Sequence, residues 1–128
     1  MLHVPGQISA VVGGGVSSVV ISQVYGGGGN ATATLKNDFV EIHNRGAVPV
    51  SVQDWSVQYA SSTGAFSQLT RLTGTLAAGQ YMLIQEAAGT GGSVDLPTPH
   101  IDGTIPMSAT AGKVALVRGT AGVAPVAL

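Results

Sequence analysis

Three histidines, His3, His43 and His100, and six carboxylates, Asp38, Glu41, Asp54, Glu86, Asp95 and Asp102, are the side chains in this 128-residue chain with the chemistry to move protons or hold a metal. Their spacing does little to bring them together. The histidines lack the close pairing of a zinc site, and only His43 lies in a clear strand pattern. The absence of cysteine removes thiolate nucleophiles, disulfides and Cys-ligated zinc at once. Asp38 and Glu41 fall three apart in one strand pattern, so they point to opposite faces and do not form a carboxylate pair. Loop hydrogen bonding is the expected job of Asp38, and a surface or edge polar role that of Glu41. Calcium is the better metal candidate, because Asp95 and Asp102 share a long loop in which carboxylate and carbonyl oxygens could converge. The EF-hand pattern is missing, however. Serines are plentiful, but no G-x-S-x-G elbow supplies a nucleophile. The Gly26 to Gly29 run is followed neither by Gly-Lys-Ser/Thr nor by a helix, so the phosphate-loop context fails. These residues predict a non-catalytic protein with no resident cofactor and no small-molecule substrate.

The elements that would position these residues read as strands. Windows with apolar residues at helical spacing are broken by Gly, Pro or β-branched runs, while β-branched segments bounded by Gly, Asn, Asp and Pro recur throughout. Val19 to Tyr25 is the first strand. Asp38 to Asn44 is the second, with Val40 and Ile42 on one face and Phe39, Glu41 and His43 on the other. A short strand at Val48 to Val52 carries Pro49, which suits an edge. Trp55 to Tyr59 alternates large apolar with small polar residues and predicts a half-buried strand. Further strands are expected at Phe66 to Leu69, Leu72 to Leu76, Gln80 to Gln85 and Lys113 to Arg118. Ala87 to Met107 is a long Gly/Pro-interrupted connection of the kind that wraps a core or carries function. Residues 1–18 read as an arm whose strand-like piece, Ile8, Ser9, Ala10, Val11 and Val12, is closed off by Gly13 to Gly15, with the β-domain over residues 19–128. Asn30-Ala31-Thr32 fits a glycosylation sequon and marks an exposed loop.

Composition limits the partners. Hydrophobic residues make up 45% of the chain and charged ones 9%, with a net charge of −1, which places it far from disordered sequences. Five dispersed basic residues make a poor footprint for nucleic acid, whose binding draws on several phosphate contacts. The valine-rich stretch from Ile8 to Tyr25 is broken by glycines, serines and Gln23, short of the roughly 20 apolar residues of a membrane span. The amino end lacks the basic and apolar regions of a secretory signal.

Asn37-Asp38-Phe39-Val40-Glu41-Ile42-His43-Asn44, followed eleven residues after Asn44 by Trp55 in Val52-Gln53-Asp54-Trp55-Ser56-Val57, resembles a lamin tail domain, the bacterial branch most of all. Val20 to Gly29, Leu76 to Tyr81 and Met107 to Val117 extend the likeness in the same order, over about Val19 to Arg118. The resemblance implies an immunoglobulin-like β-sandwich, with Val40, Ile42, Trp55, Val57, Tyr59, Leu83, Val114 and Leu116 expected in its core. It also implies a module that binds proteins, in a secreted or surface setting. The usual final strand is not evident after Val117. Either Ala124 to Leu128 serves, or the arm residues Ile8, Ala10, Val11 and Val12 fill the place, from the same chain or a neighbouring one.

Three functions are thereby expected in order. The first is a non-catalytic module mediating protein–protein interaction in a secreted or surface protein. The second is a complete subunit, beginning at Met1, of an ordered assembly such as a filament, virus-particle decoration or surface layer, using the arm for strand addition. The third, a DNA-tethering accessory domain of a secreted nuclease, is disfavoured by the dispersed charge.

Overall fold

The computed structural model describes residues 7–12, as backbone alone, and residues 18–119. All regular structure among them is β: β1 (Gln7–Val12), β2 (Val19–Tyr25), β3 (Asn37–Asn44), β4 (Val50–Ser51), β5 (Ser56–Ala60), β6 (Gln68–Arg71), β7 (Thr75–Leu76), β8 (Tyr81–Ala88), β9 (Ile101–Asp102) and β10 (Gly112–Val117). One sheet has the order β2-β3-β8-β9 and a second the order β1-β10-β5-β6, with β4 and β7 forming a separate short ladder. Consecutive strands pair at β2–β3, β5–β6 and β8–β9, while β1–β10, β10–β5 and β3–β8 join strands far apart in sequence.

Period-two alternation turns one side of each sheet inward. Val24, Val40, Ile42, Met82 and Ile84 from the first sheet meet Val57, Tyr59, Val114 and Leu116 from the second in one core cluster. Leu72, Ile105 and Met107 join it from the connections and Leu76 from β7. Six of the residues expected in the core, Val40, Ile42, Val57, Tyr59, Val114 and Leu116, are buried there.

Two expected core residues lie elsewhere. Leu83 is half-buried and belongs to the opposite face of β8, because Met82, Ile84 and Glu86 take the inward phase. Trp55 is half-buried and packs against the core from its rim. The left-handed turn at Asp54 (φ 62°) places Trp55 just ahead of β5, where its ring lies under the Arg118 guanidinium at 5.5 Å.

The strand at 56–60 also departs from its half-buried expectation, since all five of its residues are buried. Residues 61–67 fold back over its outer side. Phe66 forms a second cluster with Ala60, Ala115 and Val117, while Lys113 Nζ donates to the Gly64 carbonyl at 2.8 Å. The short strand expected at Val48 to Val52 contracts to Val50–Ser51, paired with Leu76 and Thr75.

The arm residues belong to a strand. β1 runs parallel to β10 of the same chain, with Ile8, Ala10, Val11 and Val12 opposite Lys113, Ala115, Leu116 and Val117. The alternative last strand, Ala124 to Leu128, lies outside the described residues.

The long connection is tied down in three places. Leu35 and Val94 form a bridge, and β9 adds to β8 in parallel. The third is a glycine clasp. Gly91 N donates to Gly29 O at 2.7 Å, Gly89 N to Lys36 O at 3.2 Å, and Gly29 N to Leu35 O at 2.8 Å. A Cβ on Gly28 would fall on the Asn37 carbonyl, and one on Gly91 on the Asn30 carbonyl. Backbone touches backbone here, so the Gly-rich run is a packing device.

Candidate functional site

The first sheet has an inner and an outer face, and its chemistry divides between them. On the inner face, two carboxylates on neighbouring strands close one end of the core. Asp38 of β3 is 3% exposed and accepts hydrogen bonds from Gly28 N at 2.6 Å and Met107 N at 2.7 Å. It therefore fastens the glycine run and the end of the long connection to the sheet, the loop-bonding job expected of it. Burial raises its pKa above the ordinary carboxylate value, against the opposing backbone bonds.

Glu86 of β8 was not singled out by sequence, yet it is 1% exposed. Thr70 Oγ1, from the second sheet, donates to it at 2.8 Å, and Ile105 N donates to Oε1 at 3.3 Å. Burial pushes its pKa up to about 7; these two bonds oppose the rise, and the negative charge of Asp38 adds to it. Gly103 must lack a side chain because a Cβ there would collide with this carboxylate and with Thr70. The sequence signal that could have exposed Glu86 is its position two residues beyond Ile84 and four beyond Met82, on the inward phase. The pair is a structural fastening, since its oxygens are taken up by the chain itself.

The outer face presents rows of side chains set by register. His43 pairs with Tyr81, Glu41 with Gln23 and Leu83, and Phe39 with Tyr25 and Gln85. The His43 and Tyr81 rings stack at 3.9 Å between centroids, and those of Tyr25 and Phe39 at 5.4 Å. Residues 96–100 arch over this face, held because His100 N donates to Leu83 O at 2.9 Å and Leu83 N donates back to His100 Nδ1 at 3.0 Å. Between arch and sheet lies a groove of about 360 Å3. Phe39, Leu83 and Tyr81 form its floor, Leu35, Leu96 and Pro97 its walls, and Gln23, Glu41, Thr98 and His100 its polar positions. Tyr81 remains 50% exposed beside it.

Glu41 is held in place by an irregularity of β2. The β2–β3 register shifts between Ile21 and Gln23, and a bulge of this kind re-aims a side chain. The Oγ of Ser22, the residue at the shift, donates to Glu41 Oε1 at 2.8 Å. Sequence alone placed Glu41 at a surface or edge; the structure places it in the groove.

The other candidate ligands stay apart. Asp95 pairs with Lys36 at 3.1 Å, and Asp102 accepts from Gln85 Nε2 at 3.0 Å, so the two calcium candidates are engaged separately. No group of three or more His, Cys, Asp or Glu with metal-holding geometry occurs among the described residues. His43 and His100 lie on the outer face, and His3 lies outside the described residues. No helix among those residues is long and apolar enough to cross a membrane.

Fold and site together define a two-sheet β-sandwich whose recognisable feature is a surface groove. The family model for the lamin tail domain matches residues 14–124. The chain belongs to this family, and its sandwich is of the immunoglobulin-like type that the family shares. No curated protein and no solved structure gives a match. Immunoglobulin-like domains of this family are generally binding or structural modules.

Proposed function

We propose that this domain is a non-catalytic module that binds a protein partner through the outer face of the β2-β3-β8-β9 sheet, as part of a secreted or surface protein. The observation that carries this reading is the groove under residues 96–100. It joins apolar walls to a few polar groups at the small end of the about 300–1,000 Å3 typical of ligand sites. Tyr81, an aromatic residue that lines it and stays half-exposed, is of the residue type enriched at interface centres. The test is selection from a displayed random-peptide library on the intact domain, with Tyr81→Ala as counter-screen. Enriched peptides that lose binding to Tyr81→Ala are the expected result. Failure to enrich any peptide, or enrichment indifferent to Tyr81, overturns the reading.

A second reading, strand exchange within an ordered assembly, has its own observation. β1 is an edge strand joined to the rest by one parallel ladder, to β10, and the ladder could equally be formed with β10 of another copy. Light scattering on the full chain and on a chain lacking residues 1–18 tests it. A monomer in both removes it.

A further inference from the structure

Charge is divided between the two sheets in a way the dispersed sequence conceals. Asp38 and Glu41 in β3, Glu86 in β8 and Asp102 in β9 place four carboxylates in the strands of the first sheet, which contain no Lys or Arg. Arg71 in β6 and Lys113 in β10 are the only charged residues in the strands of the second. Asp38 and Glu86 are buried on the inner face of the first sheet, so Glu41 and Asp102 are the carboxylates its strands carry on the outer phase. Its one nearby lysine, Lys36, is already paired with Asp95.

Within the groove, Glu41 is the one Asp or Glu in the lining, and no Lys or Arg lines it. Ser22 occupies Oε1, while Oε2 has no partner among the described residues. A carboxylate fixed through one oxygen, with the other open and apolar and aromatic side chains around it, is complementary to a particular ligand shape. That shape is a long apolar stem ending in a cation. The stem gains by leaving water against Leu83 and Phe39, and the cation gains a charge-assisted hydrogen bond and the face of a nearby ring. A phosphate or other anion would meet Glu41 with like charge.

We propose that the groove is an anchor site for a basic side chain, arginine or lysine, projecting from a peptide segment of the protein partner. The proposal deepens the docking reading above and rests on it. Ser22 serves specificity here: its hydroxyl fixes one oxygen of Glu41, the carboxylate that lines the groove.

Amide-resolved NMR titration of the intact domain tests this, with N-acetyl-arginine amide and N-acetyl-lysine amide as probes and the citrulline and norleucine analogues as neutral controls. The cationic probes are expected to shift the amides of Gln23, Glu41, Leu83 and residues 96–100, about tenfold more tightly than either control. Glu41→Gln keeps an oxygen for Ser22 and is expected to remove that tenfold preference with the rest of the spectrum unchanged. Equal binding of norleucine, or a preference that survives Glu41→Gln, overturns the cationic anchor and leaves the docking face standing. Peptides from the display selection that map to the groove without a basic residue do the same. An absence of both probe shifts and groove-dependent peptides removes the docking face itself.

Discussion

The β1-β10-β5-β6 sheet covers its outer face, whereas the β2-β3-β8-β9 sheet holds a cavity open on its own. On the former, Phe66 packs on the small residues Ala60 and Ala115. Buried Lys113 reaches the Gly64 carbonyl and lies 5.6 Å from the Phe66 ring centroid. On the latter, the larger residues Phe39, Leu83 and Tyr81 line a groove together with residues 96–98 and His100. The two faces thus differ in what the crossing loop does: over one it seals the sheet, and over the other it roofs a groove. The first outcome serves stability, and the second leaves a surface for a partner.

The largest effect should come from unsealing the covered face. Phe66→Ala is expected to lower unfolding free energy by about 3 kcal/mol, through lost burial and a residual cavity; urea denaturation measures it. A loss near zero would erase the contrast between the two faces.

A similar effect is expected from pH. The folded pKa of Glu86 lies near 7 against 4.5 for the ordinary group, so the folded state holds a proton that the unfolded state has released. Stability is therefore full below about pH 4.5, falls as pH rises toward 7, and then levels off. The shift amounts to about 3 kcal/mol, and Asp38, also raised, acts in the same direction. Melting midpoints between pH 4.5 and 8 would show the decline, and Glu86→Gln should flatten most of it. A slope unchanged by that substitution would assign the effect to another group.

The smallest effect belongs to the open face. Tyr81→Ala should change stability by no more than about 0.5 kcal/mol, as at an ordinary surface position, while removing peptide binding. A loss as large as that of Phe66→Ala would make Tyr81 part of the fold and not of the site.

Much of this architecture can be read from residue order. β2 keeps its expected bounds, and the alternation in β3 separates Val40 and Ile42 from Phe39, Glu41 and His43 as observed. The phase of β8 cannot be read so simply, because Met82, Leu83 and Ile84 are all apolar and alternation gives no sign of which pair turns inward. The core position expected of Leu83 fails for that reason, and with the phase open Glu86 carries no signal that separates it from the other carboxylates. Trp55 sits one residue ahead of its strand, so the turn at Asp54 decides its burial more than its size does. The groove was not legible at all, since it depends on where residues 96–100 cross the sheet, and that crossing is held by the His100–Leu83 bonds. A connection's composition does not encode its path.

The glycine clasp also makes residues 30–34 a handle. Their two ends are already fixed, at Gly29 and Leu35, by the backbone bond between them, and Asn30, Ala31 and Thr32 are exposed. Lengthening a closed loop costs only about 0.6 kcal/mol per doubling. A fluorophore, an affinity tag or a whole inserted peptide grafted at Ala31 would therefore leave the sandwich undisturbed.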